Sequence, residues 1–85
     1  TKALAVEVAP SNIRVCSIAP TFADTPMTKP MFKDENFKNF VYGMIPMQKL
    51  VDVQDIVDGI LYLCSPKAKM ITGTSLLIDG GWTAH

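Results

Sequence analysis

Apolar positions fall into five stretches, separated by prolines, glycines and short polar runs. In the first, Thr1 to Ala9, only Thr1, Lys2 and Glu7 are polar, which predicts a helix covered on nearly every face and stopped by Pro10. Next, Ile13, Val15 and Ile18 enclose the small Cys16 and Ser17, the pattern of a crowded, buried strand. Pro20 has no backbone N–H, so the ladder is expected to end there. A parallel strand that stops at this point delivers Thr21, Phe22, Ala23, Asp24 and Thr25 to the carboxyl edge of its sheet, where open α/β folds bind ligands. A plain surface turn built from the same residues is the competing reading.

Between Pro30 and Pro46 lies a second helix, with Asp34 as its cap. Phe37, Phe40, Val41 and Met44 recur at i, i+3, i+4 and i+7, one apolar stripe opposite Lys33, Glu35, Asn36, Lys38 and Asn39. The pattern favours a core-facing helix, whereas its place directly after the ligand-edge loop favours a lid. A third helix follows Asp52, which forms a capping arrangement with Asp55. Its predicted inner face is Val53, Ile56, Val57, Ile60, Leu61 and Cys64. Gly59 costs about 0.5–1 kcal/mol relative to alanine inside a helix, which points to a close contact at that position. Ser65-Pro66 ends the helix, with Lys67 and Lys69 near its negative end. Ser75 to Ile78 is the second strand, ended by Asp79-Gly80-Gly81. Those glycines read as positive-φ turn residues in preference to a phosphate nest. Trp82 to His85 forms a short amphipathic tail.

Eighty-five residues make one small domain at most, burying about 60–65% of the unfolded surface. Composition is that of a globular protein, 48% hydrophobic and 19% charged. Eight basic residues balance eight acidic ones, which leaves no electrostatic footprint for nucleic acid or an anionic membrane. No apolar run approaches the roughly 18 residues of a membrane span. Cys16 and Cys64 lack metal-ligand or redox spacing and are expected to be buried, reduced thiols, which suits a cytoplasmic protein. With His85 as the one histidine, a metal site is not expected.

Ile13-Arg14-Val15-Cys16-Ser17-Ile18-Ala19-Pro20, followed by Thr25-Pro26-Met27, resembles the C-terminal part of the short-chain dehydrogenase/reductase family. There the pattern usually reads Ile-Arg-Val-Asn-x-Ile-x-Pro-Gly-x-Val/Ile-x-Thr, so Cys16 replaces the asparagine and Thr21 the glycine. The likeness continues through Pro46, the helix after Asp52, and Ile71-Thr72-Gly73 leading to Asp79-Gly80-Gly81. The closing Asp-Gly-Gly-Trp-Thr-Ala looks most like bacterial glucose or gluconate dehydrogenases and 3-oxoacyl carrier-protein reductases.

The resemblance implies the C-terminal third of a Rossmann-type doubly wound parallel sheet, in the order helix, strand, lid helix, helix, strand. It implies a parent that transfers a hydride between NAD or NADP and a carbonyl or alcohol carbon of a sugar, polyol or 3-oxoacyl substrate. The family's Tyr-x-x-x-Lys, its serine and its glycine-rich loop have no counterpart in these 85 residues. No catalytic residue is therefore expected here, and the piece alone is expected to be inactive. Carried over, Pro20 and Thr21 lie beside the nicotinamide, the Ala23 backbone pairs with its carboxamide, and the Thr25 hydroxyl bonds the carboxamide or a phosphate. Residues 28–46 correspond to the substrate lid, with Phe22, Met27, Met31, Phe32, Phe37 and Phe40 facing substrate. The resemblance also implies a homo-oligomer, tetrameric in many relatives, assembled through Val53–Cys64 and Ser75–Ile78. A non-catalytic structural or oligomerisation module is the reading from another class.

Overall fold

The structure, a computed structural model, describes residues 1–84, so His85 lies outside the described residues. Helix α1 spans Lys2–Val8 and tightens into a 3₁₀ turn over Ala9–Ser11, with Asn12 left-handed at φ 61°. Pro10 thus sits inside that turn, where its missing N–H is harmless. Strand β1 (Ser17–Pro20) pairs in parallel with β2 (Ser75–Ile78), in the register Ser17↔Ser75 through Pro20↔Ile78. Between them come α2 (Glu35–Met44), preceded by a 3₁₀ turn over Lys29–Lys33, and α3 (Val53–Cys64). Both caps read from the sequence are present. Asp34 accepts from the N–H groups of Asn36 and Phe37 at 2.9 and 3.3 Å. Asp52 and Asp55 form a reciprocal capping box.

The strand begins later than its sequence-based bound. Residues 13–16 are not in the ladder, because the facing segment is still turning through Gly73 at φ 73°. They are held singly instead: Val15 N–H donates to Thr72 Oγ1 at 3.0 Å, and Val15 C=O accepts from Gly73 N–H at 2.9 Å. Arg14 reaches back to the carbonyls of Leu63 (2.7 Å) and Ile71 (3.2 Å), a cation at the negative end of α3 where Lys67 and Lys69 were expected. At the other end the paired strand stops at Pro20, as expected, but not for want of its N–H. Ser17 N–H donates to Thr74 C=O and Thr21 N–H to Ile78 C=O, so odd-numbered residues face β2. The alternation of a strand turns the Pro20 nitrogen to the opposite edge, and its missing donor costs nothing in this pair.

Helix α3 lies on this pair through Gly59. A Cβ there would stand 2.9 Å from Ile78 Cδ1 and 3.3 Å from Leu76 Cδ2, which accounts for a glycine in a helix interior. The inner face is Ile56, Gly59 and Leu63, not the six residues predicted. Val53, Val57, Ile60, Leu61 and Cys64 point outward, because the apolar arc of α3 is wider than the two-stranded sheet beneath it. Cys64 is accordingly exposed and Cys16 half-buried, in place of two buried thiols. On α2, Val41 is fully buried and Phe37 half-buried, while Phe40 is 61% exposed and leaves the predicted stripe.

Few side chains are sealed from solvent: Ala5, Val41, Ile45, Val51 and Ala68. The radius of gyration is 15.7 Å, against roughly 12 Å for a compact domain of this length. Surface is also in excess, 6153 Å² where a self-contained fold of this mass would show roughly 5,000 Å². The exposed apolar side of α3 and the outer face of β2, with Leu77 54% exposed, account for much of it.

Gly80 tests how tightly the end of β2 is seated. It is left-handed at φ 60°, and a Cβ would fall 2.6 Å from Cγ2 of the buried Ile45. Backbone strain and overpacking act together, so Gly80→Ala in the full-length protein is expected to cost about 1–3 kcal/mol. Urea unfolding measures this, and an unchanged midpoint would contradict the packing described.

Candidate functional site

Parallel pairing sets the carboxyl ends of β1 and β2 side by side. From β1 the chain continues as Thr21, Phe22 and Ala23, still nearly extended. Val51 pairs with this segment, donating to Phe22 C=O at 3.1 Å and accepting from Asp24 N–H at 2.9 Å. The N–H and C=O of Ala23 therefore face the other way. Its C=O accepts from Thr28 Oγ1, and its N–H has no partner among the described residues. Beside it opens a cleft of about 510 Å³ lined by Pro20, Thr21, Phe22, Thr28 and Trp82.

Thr28 closes the loop. Its hydroxyl donates to Ala23 C=O and accepts from Thr25 N–H at 3.1 Å, while its own N–H donates to Thr25 C=O at 3.1 Å. A Thr-x-x-Thr spacing permits this side-chain-to-backbone closure, the signal by which the sequence could have revealed Thr28. The Thr25 hydroxyl lies 3.3 Å from Thr28 Oγ1 and 3.4 Å from Thr28 N, both at the long limit. It thus rests against its own turn, with acceptor capacity to spare.

From β2 the chain enters a second closed turn. The Asp79 carboxylate accepts from Gly81 N–H (3.0 Å), Thr83 N–H (3.1 Å) and Thr83 Oγ1 (2.7 Å). Gly80 and Gly81 adopt φ 60° and 97°, as turn glycines do. Trp82, between these anchors, stands with its ring centroid 6.2 Å from that of Phe22. Phe22 meets Phe32 and Phe37 edge-on at 5.9 and 5.7 Å. Edge-to-face geometry at these distances is favourable for aromatic pairs. Of the residues assigned to the lid, Phe22, Phe32 and Phe37 come together in this cluster. Met27 (86% exposed), Met31 and Phe40 stand outside it. Trp82 joins the cluster although the sequence reading placed it only in a tail.

Two parallel strands with ligand-side loops and a packed crossover helix define a Rossmann-type α/β unit. The chain belongs to the short-chain dehydrogenase/reductase family. A family model described as enoyl-(acyl carrier protein) reductase matches residues 1–83. L-xylulose reductase of Bos taurus is 37% identical over 84 residues, which is 99% of this chain and 34% of that protein. Among solved structures, 4-hydroxyisoleucine dehydrogenase complexed with NADH superposes with a TM-score of 0.94 at 39% identity, covering 100% of this chain and 35% of that one. An Agrobacterium tumefaciens protein assigned as a 2-deoxy-d-gluconate 3-dehydrogenase, with bound NADP, gives 0.96 at 33% identity, covering 100% and 35%. The chain thus spans about a third of the length of these relatives.

Among the described residues there is no group of three or more potential metal ligands, and no helix is long and apolar enough to cross a membrane. The donor set at the sheet edge does fit an amide-bearing planar ring. Ala23 offers a free N–H at a fixed position, Thr21 a hydroxyl without a partner among the described residues, and Pro20 a flat apolar side.

The Asp79 turn carries a pH signature. The Thr83 hydroxyl, and behind it the Gly81 N–H, hold the Asp79 carboxyl below its usual value of 3.8, while desolvation opposes them. A lowered folded value means that the clamp contributes fully above the usual carboxylate range and is lost as pH falls through the folded value. Carboxyl titration by NMR is expected to place Asp79 below 3.8, and Thr83→Val to move it upward. A midpoint at or above the usual value would contradict the clamp.

Proposed function

We propose that these residues form the nicotinamide end of the cofactor site in an NAD(P)-dependent oxidoreductase acting on a small carbonyl or alcohol substrate. The observation that carries the reading is the Ala23 N–H, without a partner among the described residues, at the sheet's carboxyl edge directly after Pro20, Thr21 and Phe22, which line the cleft. When bound, the nicotinamide supplies the hydride chemistry. The chain's own task is orientation. Pro20 and Thr21 offer one face to the ring, Ala23 holds its amide substituent, and Thr25 reaches the amide or an adjoining phosphate. Fixing a reactant in a near-attack pose removes much of the entropic barrier to transfer. Residues 28–46 act as the substrate lid, with Phe32 and Phe37 docked on Phe22. The relatives named above act by their names on sugars and a hydroxy amino acid, which supports oxidoreduction at a carbonyl or alcohol carbon.

Thr25 provides the direct test, in the full-length protein. Thr25→Val keeps the branched shape and removes the hydroxyl. Loss of one neutral hydrogen bond is expected to weaken cofactor binding by about 0.5–1.5 kcal/mol, roughly two- to twelve-fold. The melting temperature without cofactor is expected to hold, because the bonds to Thr28 are long. Calorimetric titration decides, and an untouched affinity with a destabilised apo protein would reduce Thr25 to a turn residue.

The same reading assigns a homo-oligomer through α3 and β2. The exposed apolar face of Val53, Val57, Ile60 and Leu61, with Leu77 on the adjoining strand, supports it. Leu77→Lys is expected to lower the assembly state in sedimentation. An unchanged oligomer would remove this face from the interface.

A further inference from the structure

One member of the cleft's aromatic wall has hydrogen-bonded backbone on either side and a ring packed against it. Trp82 lines the 510 Å³ cleft together with Pro20, Thr21, Phe22 and Thr28. It also borders an adjoining cleft of about 260 Å³ with Pro20, Thr21 and Asp79. Hydrogen bonds from Gly81 and Thr83 to Asp79 fix the backbone on either side of Trp82, and Phe22 packs against its ring. Phe22 in turn carries Phe32 and Phe37. The indole is thereby seated against Phe22, which joins it to the residues that follow β1.

Among the described residues that line the cleft, polar capacity is small. Of the two lining hydroxyls, Thr28 Oγ1 is engaged with Ala23 C=O and Thr25 N–H. The Thr21 hydroxyl and the indole N–H are left without partners among the described residues. An open-chain polyhydroxy compound would bring several hydroxyls against aromatic rings, each giving up water for no replacement bond. An alkyl or aryl group would lose no such bonds and would gain the rings' apolar area.

We propose that Trp82, mounted by Asp79, is a specificity-determining residue, and that the substrate it selects carries an alkyl or aryl group beside the reacting carbonyl or alcohol carbon. This rests on the oxidoreductase reading above and deepens it to a substrate class. Selection acts through binding, by packing of that group against the paired rings of Trp82 and Phe22.

The experiment uses the full-length protein with NADH or NADPH and two probes, a phenyl ketone and a four-carbon ketose. The wild type is expected to favour the phenyl ketone. In Trp82→Ala, kcat/KM for that ketone is expected to fall about tenfold or more, chiefly through KM, with the ketose changed less than about threefold. Trp82→Phe is expected to restore most of the loss. Trp82 is also the one tryptophan of these residues. Its emission is expected to be quenched when the phenyl ketone binds without turnover, and that quench to be missing in Trp82→Phe. Equal losses on both probes, no loss, or a wild type that favours the ketose would overturn the inference and leave the oxidoreductase reading standing. Turnover of neither probe with either cofactor would overturn both. If Trp82→Ala does not fold, the wild-type quench decides, and its absence overturns the proposal.

Discussion

Everything in the site depends on the register that sets Pro20 beside Ile78. Parallel strands point their carboxyl ends the same way, so the chain leaves both strands on one edge. A shift of one residue would reverse which side chains of β2 meet α3, replacing Leu76 and Ile78 by Ser75 and Leu77. Gly59 makes such a slip costly. The helix approaches closely enough that Ile78 and Leu76 fill the space a Cβ would take. Because the helix fixes the strand and the strand fixes its partner, Phe22 and Trp82 meet across 6.2 Å although they stand sixty residues apart in sequence.

Beyond that edge the two loops are closed by the same physical device, a short polar side chain that satisfies its own backbone. Thr28 closes the loop after β1, and Asp79 closes the turn after β2. Neither depends on a buried core. That matters where, among the described residues, only five side chains are nearly sealed. Local closure lets the site keep its shape where packing is thin, and leaves the large apolar faces of α3 and β2 free to be covered from outside.

Legibility in the sequence followed the range of the interaction. Caps at Asp34 and Asp52, the turn glycines at 80 and 81, and the close contact at Gly59 were all readable, because each is fixed by neighbours within a few residues or by a conspicuous misfit. The onset of β1 was not, since it depends on where Gly73, nearly sixty residues away, stops turning. Periodicity identified α3 but not its inner face. An arc from Val53 round to Cys64 is wider than one sheet can cover, and only the contact at Gly59 selects Ile56 and Leu63. The end of β1 at Pro20 was read correctly but for another reason: the missing N–H faces away from β2, and parity relative to a distant partner decides that.

Position 21 shows where family pattern and local physics part. The usual residue there is glycine, and threonine would be a serious substitution if the backbone needed a positive φ. It does not: among the described non-glycine residues only Asn12 and Gln48 are left-handed. Thr21 continues the extended run of β1 and donates its N–H to Ile78 in the ordinary way, a conformation that suits a β-branched residue. What the exchange changes is therefore the cleft and not the chain. A hydroxyl and a methyl now join Pro20 and Trp82 in lining the clefts, where a glycine would bring no side chain. One polar group of the cleft that has no partner among the described residues is thus supplied by the residue that departs from the pattern.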